Sequence, residues 1–228
     1  MVKILEREKA KRLRAEGTSI GEIAKMLLVS KSTVSYWCRN ISLTQKQIIK
    51  LSNRSKSAGT AALMRASERK RAERIKLTKE STKAGARAVG KLSNRDIFML
   101  GLALYWGEGY KSGNEEFGFT NSDRNIICLY VVWLEKVYRV NKKDLILRIS
   151  INSLHKNRVS DVIRYWSKIL NVPRSQFTKT SLIKTETKKR YTNMNEHFGT
   201  LRVKVRRGTS LRRQVLGSIE EVARQALK

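Results

Sequence analysis

The chain has 228 residues, with 49 Lys and Arg against 19 Asp and Glu, so its formal charge is +30. This imbalance exceeds what solubility needs and predicts a polyanionic partner, with nucleic acid as the first candidate and an anionic membrane surface as the second. No apolar run reaches the ~20 residues of a transmembrane helix, and no signal segment opens the chain. Two cysteines fit a reducing compartment better than a disulfide scaffold, and with two histidines they make no convincing zinc site. We therefore expect a cytoplasmic, nucleoid-associated protein that binds nucleic acid, spans no membrane and has no small-molecule substrate.

The basic residues are unevenly spread and divide the chain into three segments. Residues 1–40 carry 9 basic and 4 acidic side chains, residues 41–92 carry 14 and 3, and residues 93–228 carry 26 and 12. We predict an α+β protein in three parts: a compact helical module at 1–40, a basic helical linker at 41–92, and a larger domain at 93–228.

The first segment contains the signals of three short helices. Gly17 ends the first, and Ser30 is a natural N-cap for the third. The stretch "EIAKMLLVSKSTVSYW" resembles the helix-turn-helix of resolvase-like and transposase DNA-binding domains, whose pattern is "EIAkxLgVSxSTVxrW". The resemblance implies a DNA-binding module over residues 1–40. Leu28 stands where that pattern has a turn glycine, which predicts a less tight turn.

The same resemblance implies which side chains of the third helix contact double-stranded DNA, because the N-terminal half of a recognition helix lies in the major groove. The expected base-facing residues are Lys31, Ser32, Thr33, Ser35 and Tyr36. Phosphate contacts are expected from Ser30, Lys31 and Arg39. The alternative is an ordinary three-helix bundle whose third helix is polar.

The second segment, residues 41–92, lacks aromatic residues and includes "RASERKRAERIKLTKESTKAGARA". It has no strong apolar stripe, so it cannot form a core alone. Two interpretations are open, a solvated linker helix and a basic arm that lies along phosphates. We expect a helical linker with some DNA contact.

From residue 93 onward, helical patterns alternate with strand patterns. The predicted order is α-β-α-β-α-β-β-α, which indicates an α+β domain with one curved antiparallel sheet. The segments are a helix over 95–107, the strand "EEFGFTN", the helix "RNIICLYVVWLEKVY", the strand "DLILRISIN", the helix "NRVSDVIRYWSKIL", the strands "FTKTSLIKT" and "GTLRVKVRR", and a helix from Ser210 to the end.

The strand "TLRVKVRR" predicts a sheet with one apolar and one cationic face. Its alternation places Leu201, Val203 and Val205 on the face that packs against helices. Arg202, Lys204 and Arg206 then lie on the opposite face. A solvated surface is the simpler interpretation, but the charge of the chain favours a face that binds DNA.

The stretch "GLALYWGEG" resembles the LAGLIDADG motif of homing endonucleases and of their non-cutting relatives, the WhiA-like regulators. Gly109 takes the place of the final glycine, Glu108 that of the final acid, Gly107 that of the preceding small residue, and Ala103 that of the motif's glycine. The resemblance implies a LAGLIDADG-like domain over residues 93–228. Ala103 and Gly107 lie four apart on one helical face, so two copies of the helix could cross closely. Because the chain has one motif, we expect a homodimer.

Such a crossing would bring two Glu108 carboxylates together, and they would repel each other unless a divalent cation lay between them. Mg²⁺ prefers such oxygen ligands together with waters. We therefore expect Glu108 to be the metal ligand and the catalytic residue of a DNA endonuclease that hydrolyses phosphodiester bonds, with Lys111 contacting DNA nearby.

Glu108 could also be a solvated acid whose glycine neighbours only end the helix. Three functions remain open, and the third, an RNA-binding or transposition accessory protein, depends on the charge of the chain alone. The retained acid favours a Mg²⁺-dependent endonuclease. The N-terminal helix-turn-helix favours a non-catalytic WhiA-like transcription regulator, as does Trp106, which stands where the family has its first aspartate. Gly101, in place of the opening leucine, is a further departure from the motif.

Other distinctive residues are expected to be structural. Lys111, Asn121, Ser122 and Asp123 could surround the Glu108 site, but we favour Ser122 or Asp123 as the cap of the helix that follows. Core positions are predicted for Tyr105, Trp106, Trp133, Trp166, Cys38 and Cys128.

Overall fold

The computed structural model divides the chain into two compact units, the first ending at Gly90 and the second beginning at Lys91. It describes residues 4–54, 58–113, 115–184 and 197–227. Each unit has its own hydrophobic core, and the overall class is α+β, as predicted. Within the described ranges no helix is both long and apolar enough to cross a membrane.

All regular secondary structure in the described residues of the first unit is helical. Ser30 caps α3 as predicted, since its Oγ accepts a hydrogen bond from the backbone N–H of Thr33 at 3.1 Å. A core of apolar residues holds α1, α2 and α3 together, with Ala10, Ile23 and Val34 fully buried. The helices are α1 (Ile4–Ala15), α2 (Ile20–Met26), α3 (Lys31–Trp37), α4 (Gln45–Asn53) and α5 (Ala58–Val89).

The turn between α2 and α3 is tight, so the expectation of a looser turn at Leu28 is wrong. Leu28 adopts φ +52°, and the N–H of Val29 donates to the carbonyl of Ala24 at 3.1 Å. The backbone thus takes the left-handed conformation that glycine would adopt without strain. The side chain of Leu28 gains no packing in return, because it is 88% exposed.

The segment that follows packs onto this three-helix module. In α4, the Gln47 side-chain amide donates to the carbonyl of Ala15, which is the last residue of α1, at 2.9 Å. In α5, the buried Glu68 carboxylate accepts hydrogen bonds from Arg14 of α1 and, at 2.7 Å, from Arg71. The residues expected to form a linker therefore lie in the same unit as the module. Beyond Ile75, α5 is exposed on every side.

The second unit follows the predicted order of helices and strands. Its α7 (Arg124–Tyr138) coincides with the predicted helix, whereas the strand predicted from "FTKTSLIKT" is only three residues long. The elements are α6 (Asn94–Glu108), β1 (Gly118–Asn121), α7, β2 (Leu145–Asn152), α8 (Val159–Leu170), β3 (Ser181–Ile183), β4 (Thr200–Val205) and α9 (Thr209–Ala226).

The four strands form one sheet in the order β1-β4-β2-β3. Strand β4 runs antiparallel to both β1 and β2, but β3 runs parallel to β2. The prediction of a wholly antiparallel sheet is therefore wrong. The reason is the connection through α8, since a helical crossover returns the chain to the end of the sheet at which β2 began.

The core of the second unit lies between one face of the sheet and the helices. Every second residue of β2 and β4 points to the inner face of the sheet, and such residues, for example Leu147 and Leu201, are fully buried. Trp133 of α7 and Trp166 of α8 are fully buried against it, as predicted. Trp106 is an exception, because it is 44% exposed on the solvent side of α6 while its neighbour Tyr105 fills the core.

Candidate nucleic-acid interface

The exposed face of α3 presents most of the residues expected to contact bases. Lys31, Ser32, Ser35 and Tyr36 are exposed, and Val34 between them is fully buried and holds the helix in place. Thr33 is only half-buried, and its Oγ1 lies 2.8 Å from the Oγ of Ser30. The hydroxyl of Thr33 is thus engaged in the cap of the helix.

The C-terminal end of α3 is held by α5. The guanidinium of Arg39, expected to contact phosphate, lies 5.3 Å from the ring centroid of Tyr36, a distance typical of a cation–π contact. The carbonyl of Arg39 accepts a hydrogen bond from Arg74 of α5, which also donates to the side-chain oxygen of Asn40 at 3.3 Å. The position of α5 is therefore linked to that of the helix expected to read DNA.

The second link between α5 and the module is the buried ion network at Glu68. Arg14 is 2% exposed and Glu68 is 6% exposed. Burial lowers the pKa of the Arg14 guanidinium, an effect that the charge of Glu68 opposes. Removal of Glu68 would leave the Arg14 guanidinium buried without its counter-ion, which is strongly destabilising. This network therefore holds α5 against α1 where α5 leaves the module.

The outer face of the sheet carries two arginines directly opposite each other. Arg148 of β2 and Arg202 of β4 are partners in the antiparallel register. Their Nε–H groups are shielded from solvent and have no hydrogen-bond partner among the described residues. Like charges placed directly opposite on a sheet repel each other. Sequence reasoning identified Arg202 but missed Arg148, although Arg148 alternates with buried residues in "LILRISIN".

The other two cations expected on this face differ in their surroundings. Lys204 lies on the outer face, but its ammonium pairs with the carboxylate of Glu116. Arg206 lies beyond β4 in an exposed turn, so its predicted place in the strand is wrong. The chain leaves the sheet after Val205 in order to enter α9, although the backbone N–H of Arg206 still donates to the carbonyl of Asp144 at 2.8 Å.

Glu108 ends α6 at the edge of this sheet. Gly109, the next residue, forms an antiparallel bridge with Phe119 of the edge strand β1. The N–H of Tyr110 then donates to the carbonyl of Gly118 at 3.0 Å, and its hydroxyl lies 2.6 Å from Oγ1 of Thr120 on the outer face. The carboxylate of Glu108 therefore lies at the edge of the sheet beside β1, and the next strand, β4, carries Arg202.

The carboxylate of Glu108 is exposed and forms no ion pair within the described part of the chain. Its near neighbour in sequence, Lys111, donates to the carbonyls of Trp106 at 2.6 Å and Gly107 at 3.2 Å. Lys111 therefore satisfies the C-terminal carbonyls of α6 and offsets the negative end of its dipole. No group of three or more His, Cys, Asp or Glu side chains suited to a metal ion occurs among the described residues of one chain.

The three glycines of the motif differ in what surrounds them. An added Cβ at Gly101 would lie 2.0 Å from the Trp133 ring, and one at Gly109 would lie 2.5 Å from the Tyr105 ring. Both glycines are needed for packing within the chain. At Gly107 an added Cβ would meet nothing within 4 Å, and Ala103 on the same face is exposed.

The polar residues after β1 have structural roles. The Asp123 carboxylate caps α7 by accepting hydrogen bonds from the N–H groups of Asn125 and Ile126, at 2.7 and 3.4 Å. Asn121 in turn accepts from the N–H of Asp123 at 2.8 Å. The predicted capping role of Asp123 is confirmed.

Comparison with known proteins identifies the N-terminal part of the chain. Residues 2–40 match a family model described as a helix-turn-helix domain. The helix-turn-helix domain so defined covers α1, α2 and α3, and it indicates DNA as a partner. No curated protein sequence and no solved structure gives a significant match to the chain.

Proposed function

We propose that this protein is a sequence-specific, double-stranded DNA-binding protein in which both units contact DNA. The observation that carries the proposal is the pair Arg148 and Arg202 on the outer face of the sheet. Two opposed, half-buried cations that form no ion pair among the described residues are suited to the oxygens of a phosphate. Together with the helix-turn-helix domain, they give the chain a second DNA-contacting surface.

In this proposal α3 supplies the sequence preference. Its exposed side chains Lys31, Ser32, Ser35 and Tyr36 contact base edges in the major groove. Ser30 and Arg39 contact phosphates at its two ends, which sets the register of the helix without reading sequence.

We propose further that the second unit is a LAGLIDADG-like domain that dimerises through α6. Gly107 supports this proposal, because an added Cβ there would meet nothing within 4 Å, so the glycine has no packing role among the described residues of one chain. The exposed surface around it is apolar, with Leu100 and Trp106 both more than 40% exposed. A second copy of α6 would bury this surface and would approach closely at Ala103 and Gly107.

The dimer is tested by enlarging Gly107. Leucine at this position meets open space in one chain, so the variant Gly107→Leu should fold normally. It should nevertheless sediment as a monomer at concentrations where the wild type is a dimer. Gly85→Leu is the matched control, since Gly85 also lies in a helix with nothing within 4 Å and should leave the dimer intact. A monomeric wild type at micromolar concentration would refute this part of the proposal.

We propose that the dimer is a Mg²⁺-dependent DNA endonuclease with Glu108 as its catalytic carboxylate. Mg²⁺ commonly binds proteins through one or two carboxylates together with substrate phosphates and water. Glu108 fits this pattern, because it is exposed, forms no ion pair among the described residues and lies at the sheet edge next to the proposed DNA-binding face. Bound there, Mg²⁺ would supply an activated water and stabilise the leaving oxygen of a phosphodiester.

The alternative is a non-catalytic WhiA-like transcription regulator. The half-exposed Trp106 favours it, because an apolar side chain stands at the helix end where the nuclease motif has another aspartate. In that case Glu108 would serve only to end α6.

One experiment separates the two functions. Wild type, Glu108→Gln and the control Glu220→Gln, another exposed helical carboxylate, are incubated with a randomised duplex library in Mg²⁺ and in EDTA. The endonuclease proposal predicts that wild type and Glu220→Gln cut in Mg²⁺. Glu108→Gln should bind as well or more tightly but should not cut, since the mutation removes a charge that repels phosphate.

Three outcomes would contradict the proposal at different levels. A wild type that binds duplex DNA tightly yet never nicks it in Mg²⁺ or Mn²⁺ would establish the regulator instead. If Glu108→Gln cuts DNA as well as the wild type does, Glu108 is not the catalytic residue. A wild type that shows no affinity for duplex DNA would refute the proposal as a whole.

A further inference from the structure

The long helix α5 carries a stripe of cations that neither the helix-turn-helix domain nor the sheet accounts for. At 100° per residue, six of its basic residues fall within an arc of about 80°, and all six are exposed. They are Arg65, Arg69, Lys76, Lys79, Lys83 and Arg87, which we call the α5 stripe.

Few charges of the α5 stripe are neutralised by acidic side chains of the described residues. Within the described residues its one ion pair is Lys76 with Glu80, at 3.9 Å and with both side chains exposed. An exposed ion pair at that distance is weak, so the Lys76 ammonium is still available to another anion. Lys79, Lys83 and Arg87 are spaced four apart, so they repel each other along the helix. A helix that projects from its module with this pattern is destabilised unless an anion lies along it.

The direction of the stripe is fixed by the contacts that anchor α5. Glu68 pairs with Arg14 of α1, and Arg74 donates to the carbonyl of Arg39 at the end of α3. At 100° per residue Arg74 lies opposite the centre of the stripe, and Glu68 lies about 20° outside its edge. The six cations of the stripe take no part in these anchoring contacts. When α3 binds DNA, α5 is therefore held in a set direction relative to that DNA.

The length of the stripe matches a stretch of duplex. From Arg65 to Arg87 the helix rises about 33 Å, at 1.5 Å per residue. One turn of B-DNA extends about 34–36 Å. An amphipathic helix that binds membranes would pair its cations with a broad face of Trp, Phe or Leu. In α5 the large apolar side chains beyond Glu68 are limited to Ile75, Leu77 and Val89.

We propose that the α5 stripe binds the phosphate backbone of duplex DNA flanking the site read by α3, extending the contact by up to one helical turn. The inference rests on the proposed function in that α3 must bind duplex DNA. It goes beyond that function by assigning a second, sequence-independent contact surface to the first unit.

The test relocates charges without changing their number. In the first variant the three outer cations exchange places with exposed neighbours, as Lys79→Ser with Ser81→Lys, Lys83→Ala with Ala84→Lys, and Arg87→Ala with Ala88→Arg. The exchange moves the charge of Lys79 by 200° and those of Lys83 and Arg87 by 100° around the helix, and it leaves net charge and composition unaltered. In the second variant, Lys70→Ala with Ala72→Lys, one off-stripe charge is moved onto the stripe.

The measurement is the slope of log K against log[salt] for a 40-base-pair mixed-sequence duplex, with full-length protein and circular dichroism to verify helix content. Each phosphate contact contributes about 0.9 to the slope. The first variant should therefore bind with a slope smaller by about 2.7, and the second with a slope larger by about 0.9.

The possible results separate this inference from the proposed function. Equal slopes for the three proteins would overturn the inference, since net charge alone would then govern binding. A larger change of slope on duplex RNA than on duplex DNA would overturn the choice of partner. If the wild type binds neither duplex, the proposed function itself fails. A smaller slope for the first variant and a larger one for the second, with unchanged helix content, supports the stripe.

Discussion

Replacing Arg148 by methionine should make the free protein more stable and its DNA binding weaker. Methionine keeps the unbranched aliphatic stem that packs on the sheet but removes the guanidinium. Arg148 lies directly opposite Arg202, and like charges in that position are destabilising by roughly 0.2–1 kcal/mol. The variant also removes a shielded Nε–H that has no partner among the described residues.

The gain in the free energy of unfolding should be about 1 kcal/mol. For a unit of this size, such a gain raises the melting temperature by roughly 3 °C. The effect on binding follows from counterion release. Loss of one phosphate contact lowers the slope of log K against log[salt] by about 0.9. The affinity of the wild type relative to that of the variant should therefore be about eightfold higher in 0.1 M salt than it is in 1 M salt. In the double variant with Arg202→Met, the slope of log K against log[salt] should be about 1.8 smaller than that of the wild type.

The assays are thermal unfolding without DNA and fluorescence titration of a labelled duplex at several salt concentrations. Arg164→Met is the control, because Arg164 lies on the helix α8 and pairs with Asp161 at 3.1 Å in an exposed ion pair. It should change stability by less than about 1 kcal/mol and leave the salt slope unchanged. If Arg148→Met destabilises the protein and leaves the slope unaltered, the two arginines are structural and the sheet face is not a phosphate site.

Two further predictions concern the backbone and the core. Leu28→Gly should stabilise the first unit by about 0.5–1 kcal/mol, because relief of the left-handed strain outweighs the flexibility that glycine adds to the unfolded chain. Hydrogen exchange at the N–H of Val34 would measure this gain, and an exchange rate as fast as that of the exposed helical control Met26→Gly would contradict it. Gly101→Ala should destabilise the second unit by about 1–3 kcal/mol, because the new methyl group overlaps the buried Trp133 ring. Urea unfolding should reveal this loss, whereas Gly107→Ala, which meets open space, should be neutral or stabilising.

Local signals in the sequence were sufficient for most of the secondary structure. The cap at Ser30, the glycine stop at Gly17 and the apolar periodicity of α7 each depend on residues within one or two turns. The helix-turn-helix domain was identifiable for the same reason, since its turn and its cap lie within about twenty residues of each other. Where the prediction was wrong, as at Leu28, the backbone adopted a conformation that the side chain itself does not favour.

The arrangement of the candidate site depended on contacts between residues far apart in the chain. Arg148 and Arg202 become neighbours only because β4 inserts between β1 and β2. The anchoring of α5 requires Glu68 to meet Arg14 in a buried position, which a basic, apolar-poor segment does not indicate. Trp106 was expected in the core because it is large and apolar, but α6 has one buried side and Tyr105 occupies it.

The sequence by itself determined the net charge, the position of the helix-turn-helix domain and the alternation that separates the apolar face of β4 from its cationic face, because each follows from composition or from near neighbours. Tertiary structure alone decided the strand order, the parallel β3, the opposed arginines and the free side of α5. Long-range pairing is selected by the burial of the whole core, in which many segments must fit together at once. No single stretch of the chain encodes that choice.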